Sequence, residues 1–205
     1  MSEPESIKFS IELFLREKFK NVLNKIAAFL IKLGLKPNII TISGLIGNII
    51  AAILIGWGQL FWGGLLAMLV GPFDALDGAM ARLKNESSKY GSFIDSVTDR
   101  YDELVLLAGL LIHFIRIENW LGCLFVYLAA AGSVMVSYVR AKAEALGYSA
   151  KVGVLTRVER YLILIPGIII GQPLISLAII AVLGNFTAVQ RFYYVRKQAL
   201  KNIIH

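Results

Sequence analysis

Apolar residues recur at helical spacing through residues 7–35: Ile7, Ile11, Leu15, Val22, Ile26, Phe29 and Leu33. Lys8, Lys18, Lys20, Lys25 and Lys32 lie between them. That alternation predicts an amphipathic helix on a membrane surface. Gly34 suits its end, and Pro37 blocks smooth continuation because proline has no amide hydrogen. The pattern then changes to long apolar runs near 39–57, 60–82, 92–115, 119–140, 160–171 and 173–193. Together they predict an all-α integral membrane protein with six transmembrane helices plus the N-terminal amphipathic surface helix. The fifth run is short, so it begins earlier or tilts. Pro72, inside the second, frees the carbonyl of Met68 and predicts a kink one turn before Asp74.

This reading divides the chain into a juxtamembrane helix (1–36), one six-helix domain (37–197) and a tail (198–205). Low-complexity linkers and internal repeats are absent. The absence of repeats argues against an inverted-repeat transporter.

Composition agrees. Hydrophobic residues make up 57% of the chain, and the mean hydropathy is +0.69. A soluble domain has roughly 45–50% apolar residues even with glycine counted. The net charge of +7 does not point to nucleic acid, because so apolar a chain has no broad solvated basic face. The basic residues sit at the ends of apolar runs, where anionic lipid head groups attract them. Of 21 Lys and Arg, only Arg116 falls on one side of the expected topology, and all the others fall on the opposite side. The positive-inside rule then places both termini in the cytoplasm of a multi-pass protein of the cell membrane. Met1–Ser6 is polar and acidic, unlike a signal peptide. One cysteine, Cys123, excludes an internal disulfide and a cysteine-rich zinc site.

The segment 74–100 reads DALDGAMARLKNESSKYGSFIDSVTDR. It holds Asp74, Asp77, Asp95 and Asp99, and carboxylates inside predicted spans are functional by default. Asp74 and Asp77 are three residues apart and share a helix face, which Gly78 and Arg82 extend. Asp95 and Asp99 are four apart, with Gly91 one turn earlier. Two helices joined by a short hairpin present the four acids to each other. Asp74 lies about 12 Å along the helix axis from Arg82 at 1.5 Å per residue. The site therefore lies below the membrane surface, yet within reach of the cytoplasm. Four such acids repel one another unless a cation neutralises them. Oxygen-only ligands favour Mg²⁺, Mn²⁺ or Ca²⁺ over zinc. A two-metal clamp suits phosphoryl chemistry. Gly78 and Gly91 leave room for a nucleotide against the backbone.

The pattern D-x-x-D-G-x-x-A-R-x8-G-x-x-x-D-x-x-x-D is met in full by Asp74, Asp77, Gly78, Ala81, Arg82, Gly91, Asp95 and Asp99. It resembles the signature of the CDP-alcohol phosphotransferases, membrane enzymes that join an alcohol to the phosphate of a CDP-lipid. The resemblance implies that Asp74, Asp77, Asp95 and Asp99 bind metal, with two Mg²⁺ ions expected and Mn²⁺ an alternative. It also implies that Asp99 is the base that deprotonates the alcohol. Gly78, Arg82 and Ser88 would touch the CDP moiety. So would the turn Asn38, Ile39, Ile40 and Thr41, which resembles the family's entry to the first span. Helix N-terminal amides favour anions. A homodimer is a further implication.

Three stretches, SYVRAKAEALG (137–147), TRVERYLIL (156–164) and AVQR (188–191), resemble the phosphatidylinositol-phosphate synthase branch of the family and its archaeal relatives. There, three basic residues grip the phosphate of inositol phosphate, and they fall on Arg140, Arg160 and Arg191. Arg140 departs from the bacterial pattern, where lysine is expected, so charge is kept and geometry changes. Arg157 and Lys142 are further candidates. The implied partners are a CDP-lipid donor, inositol phosphate and membrane lipids. The donor's tail, diacylglycerol or archaeol, stays open. Glycerol phosphate or another alcohol is the alternative acceptor, and cation transport is a remote alternative.

Other features carry less. The sequons at Asn85 and Asn185 fall in a cytoplasmic loop and a span. His113 stands alone near the outer end of the third span. Asp102 and Glu103 follow Asp99 by three and four residues, but the family signature does not require them, and they read as supporting groups behind the site. Gly167 and Gly171 form a weak helix-packing motif.

Overall fold

The computed structural model describes residues 11–84 and 88–203. It is all-helical there: α1 (Ile11–Lys32), α2 (Pro37–Gly56), α3 (Leu60–Val70), α4 (Phe73–Leu83), α5 (Lys89–Arg116), α6 (Trp120–Ala145), α7 (Arg157–Ile169) and α8 (Pro173–Ile203). The break expected at Pro72 falls between α3 and α4, which otherwise form one rod. The sequon at 85–87 and the first part of the N-terminal stripe lie outside the described residues.

The chain is a multi-pass membrane protein, and the count of spans is corrected. Among the described residues, four helices rather than six are long and apolar enough to cross a membrane: Pro37–Gly56, Leu60–Leu83, Trp120–Ala145 and Pro173–Lys201. Expected spans three and five fail for different reasons. Helix α5 is long enough, but Asp95, Asp99, Arg100, Asp102 and Glu103 crowd its first half, and each costs a few kcal/mol at a bilayer centre. Helix α7 has 13 residues, or about 20 Å against the ~30 Å of a hydrocarbon core. Both are packed among the spans, α5 against α2 and α6, and α7 against α3 and α8.

The spans are apolar on more than one face, as lipid requires. Helix α2 buries Ile40, Gly44, Asn48, Ala51, Ala52 and Ile55 at helical spacing. Its Ile42, Ile46, Ile49, Ile50 and Ile53 point outward. Gly109 lets α5 approach α2 backbone to backbone. A Cβ there would lie 2.4 Å from the Ala52 carbonyl oxygen, so any larger residue would push the two helices apart. The core between α2, α5, α7 and α8 is aliphatic: Ile55, Leu106, Leu110, Leu164, Ile168 and Ile180.

Helix α1 has two apolar faces. Ala27 is buried, and with Leu23, Leu30 and Ile31 it packs against Leu76, Ala79 and Met80 of α4. Val22, Ile26, Phe29 and Leu33, the stripe picked out in the sequence, stay exposed. The helix therefore braces α4 while offering an outward apolar strip. It ends as expected at Gly34, which takes φ +79°. The Leu35 amide there returns to the Leu30 carbonyl at 3.2 Å and the Gly34 amide to Ile31 at 2.9 Å, a Schellman closure. At the opposite end of α2, Arg116 donates to the Gly56 carbonyl at 3.0 Å and caps a helix C-terminus.

Candidate active site

The two signature helices bring their acids together, as the spacing predicts. Helix α4 carries Asp74, Asp77, Gly78 and Arg82, and α5 carries Gly91, Asp95 and Asp99. Ser88 starts α5 as its N-cap, accepting the Gly91 amide at 2.9 Å. That cap fixes the register of the two acids behind it. Oxygens of Asp74, Asp95 and Asp99 lie within 4.8 Å of one another. The donor set is hard oxygen throughout, on three carboxylates from two helices, and it fits a divalent cation bound by carboxylates.

Asp77 is the fourth signature acid, and it stands apart from that trio. It is buried, and it accepts a hydrogen bond from the hydroxyl of Thr41. This contact joins α4 to the first turn of α2, where Pro37 occupies the first helical position. The turn expected to meet the nucleotide is thereby tied to the acidic helix. Asn38 and Ile39 are exposed there and Ile40 is buried. The Arg82 guanidinium lies over Gly78, where a Cβ would be 3.3 Å from its Nη1.

Two arginines of α7 meet acids of α5. Arg157 begins α7, in whose first turn Glu159 reaches back to accept the Thr156 amide. Its Nη1 is 2.7 Å from Asp74 Oδ2 and also pairs with Asp99. Arg160 follows one turn later, with Nε 2.6 Å from Glu103 Oε1 and Nη2 2.8 Å from Glu103 Oε2. Asp99 and Glu103 are four apart on α5, while Arg157 and Arg160 are three apart on α7. The two ion pairs form successive rungs.

The three arginines expected at the acceptor phosphate occupy different settings. Arg160 and Arg191 are buried, at 2% and 4% exposure. Arg191 is held by backbone, with Nε 2.8 Å from the Val152 carbonyl and Nη1 2.7 Å from that of Val136. Arg140 is exposed and pairs with Glu144 at 2.9 Å. The loop between α6 and α7 is fastened to α8 at three points. These are the Arg191 contact, Leu155 N–H to Thr187 Oγ1 at 3.2 Å, and a two-way pairing of Gln198 with the Ser149 backbone.

A cavity of about 160 Å³ runs between α2, α4, α5 and α7. Its wall includes Thr41, Asp74, Asp77, Glu103, Arg157 and Arg160. Arg140 and Arg191 are not part of that wall. Leu106 and Leu164 line the cavity and also belong to the aliphatic core. Tyr161 lines it too, and its hydroxyl donates to the Ala67 carbonyl of α3, bracing the α3–α4 break.

Sequence reasoning left four contributors unplaced: the Thr41–Asp77 bond, the Arg157 contact with the acids, the Glu103–Arg160 pair and the Gln198 fastening. The spacings of Asp99 with Glu103 and of Arg157 with Arg160 were visible, but nothing in them says that the two helices face each other.

Known proteins are similar to this chain over most of its length. The CDP-alcohol phosphatidyltransferase profile matches residues 35–190. A phosphatidylinositol phosphate synthase of Mycobacteroides abscessus is 34% identical over 192 residues, covering 88% of this chain and 86% of its own. The archaetidylinositol phosphate synthase of Methanothermobacter thermautotrophicus is also 34% identical, over 80% of this chain and 85% of its own. The crystal structure of Mycobacterium tuberculosis phosphatidylinositol phosphate synthase with CDP-DAG bound superposes with a TM-score of 0.79 at 29% identity, over 85% of this chain and 94% of that one. The same protein in complex with manganese and citrate gives 0.78, over 84% of this chain and 88% of that one. The chain belongs to the CDP-alcohol phosphatidyltransferase family and is an enzyme of that type.

Proposed function

We propose that this enzyme transfers the lipid-phosphate group of a CDP-lipid to inositol phosphate. The products are CMP and a phosphatidyl- or archaetidyl-inositol phosphate. The observation that carries the reading is the carboxylate trio of Asp74, Asp95 and Asp99, of which Asp74 lines one cavity with the buried Arg160. Relatives named for both lipid classes align over most of the chain, so the tail is diacylglycerol or archaeol. Carboxylates gather cations, and a buried guanidinium suits a phosphate.

In the reaction, Asp99 takes the proton of an inositol-phosphate hydroxyl. That oxygen attacks the lipid-linked phosphorus of the CDP-lipid, and the bond to the CMP oxygen breaks. Asp74, Asp77, Asp95 and Asp99 hold Mg²⁺ or Mn²⁺, as two ions, which supply charge stabilisation for the transferring phosphoryl group. Asn38, Ile39, Ile40, Thr41, Gly78, Arg82 and Ser88 form the cytidine-diphosphate side. Arg140, Arg160 and Arg191 hold the acceptor's phosphate. Most of the acceleration comes from positioning and fixed charge. The active site and both termini face the cytoplasm, where basic residues collect.

Mass spectrometry of the lipid product tests this. Purified protein with Mg²⁺, CDP-lipid and inositol phosphate should yield a lipid in which inositol phosphate has replaced CMP, and Asp99→Asn should yield none. A product lacking inositol phosphate would sink the reading.

A further inference from the structure

We infer that Glu103 is a positioning residue that sets the acceptor-phosphate site by fixing the guanidinium of Arg160. The inference rests on the reading of Arg160 as a ligand of the acceptor phosphate.

The geometry is specific. Glu103 takes one edge of the Arg160 fork, with Nε at 2.6 Å and Nη2 at 2.8 Å. Arg160 is 2% exposed. Its third nitrogen, Nη1, is buried with no hydrogen-bond partner among the described residues. Buried donors are nearly always satisfied, so an orphan on a rigid fork marks a place where a ligand is expected. Both Arg160 and Glu103 line the cavity that also holds Asp74. An anion with several acceptor oxygens would satisfy Nη1 there.

Glu103 also decides which acid Arg160 serves. Asp99 is one turn away on α5, and Arg157 already pairs with it and with Asp74. Without Glu103, the acids of α5 left to attract Arg160 are Asp102, on the same cavity wall, and Asp99, one turn back. A guanidinium drawn there would compete with cations and leave the acceptor phosphate without its donor. Two parallel hydrogen bonds hold both the position and the plane of the fork, which a single contact cannot. The consequence is selectivity: Glu103 favours a phosphorylated acceptor over a neutral alcohol.

The test uses the full chain in detergent, with CMP release measured against inositol phosphate, CDP-lipid and Mg²⁺ in turn. Glu103→Gln should raise the KM for inositol phosphate by about tenfold, the usual scale for losing a ligand's orienting partner. The KM for CDP-lipid and the half-activating Mg²⁺ should hold. Glu103→Asp keeps the charge and should give a smaller rise, which guards against loss of folding in the first variant. Arg160→Lys should raise the same KM, and adding Glu103→Gln to it should cost little more, because the two residues act as one unit. A Glu103→Gln enzyme with unchanged acceptor KM beside an impaired Arg160→Lys would overturn this inference alone. An unimpaired Arg160→Lys would overturn the acceptor-site reading beneath it. Parallel loss for donor, acceptor and Mg²⁺ in both Glu103 variants would mark a merely structural residue and also overturn it.

Discussion

Arg157 Nη1 lies 2.7 Å from Asp74 Oδ2, across 83 residues of sequence, and the same nitrogen pairs with Asp99. A fixed positive charge thus shares two oxygens of the carboxylate trio. It keeps the acids close despite their mutual repulsion, and it competes with any cation for them. Arg157→Ala should lower the Mg²⁺ concentration for half-maximal activity severalfold, since a nearby like charge is removed from the ion's site. A Mg²⁺ titration of CMP release reads this directly. A higher requirement would show that Arg157 supports the ion's binding.

Chelation should be reversible. EDTA should abolish CMP release, and either Mg²⁺ or Mn²⁺ should restore it. Zinc should not, because the donor set is oxygen alone and holds no histidine or cysteine. Asp74→Asn, Asp95→Asn and Asp99→Asn should each lower activity by at least about a hundredfold, the scale of a lost charge-stabilising contact in the transition state. Activity surviving EDTA would contradict the account.

Thr41 and Asp77 form a second test. Thr41→Val keeps the side chain's shape and strips the buried Asp77 of its hydroxyl donor. An unsatisfied buried acceptor costs about 1–3 kcal/mol. Thermal unfolding in detergent should move to lower temperature, whereas Thr41→Ser should stay near wild type. An unchanged Thr41→Val transition would mean that the contact carries no stability.

The fastening of the α6–α7 loop predicts a local effect. Gln198 holds Ser149 through both its amide oxygen, at 3.0 Å, and its amide nitrogen, at 2.6 Å. Gln198→Ala should expose residues 147–153 to limited proteolysis before the helices are cut, because loops held by few contacts open first. The KM for inositol phosphate should rise too, since Val152 of that loop positions Arg191. Proteolysis at wild-type rate would show that the loop is held without Gln198.

Much of this was legible in the sequence for reasons that are local. The i, i+3 and i, i+4 spacing of the aspartates, the Pro72 break and the Gly34 stop are all set by short-range geometry. The span count was less legible. An apolar average over 92–115 hides the acids at 95, 99, 102 and 103, which suit a helix facing other helices better than one facing lipid. Asp77 shows the same limit from the other side. Its spacing with Asp74 is correct for a shared face, yet its partner Thr41 lies 36 residues away, and only packing reveals it. Arg191 is legible as a basic residue for the acceptor phosphate, but not the two backbone carbonyls that hold it inside the protein.

The most direct measurement is CMP release by the purified protein with Mg²⁺ and a CDP-lipid, offering inositol phosphate, glycerol phosphate, serine and free inositol in separate reactions. The account predicts release with inositol phosphate alone, weakened in Arg191→Ala. Release with free inositol or glycerol phosphate and none with inositol phosphate would contradict it, leaving the family and the carboxylate site standing without the acceptor.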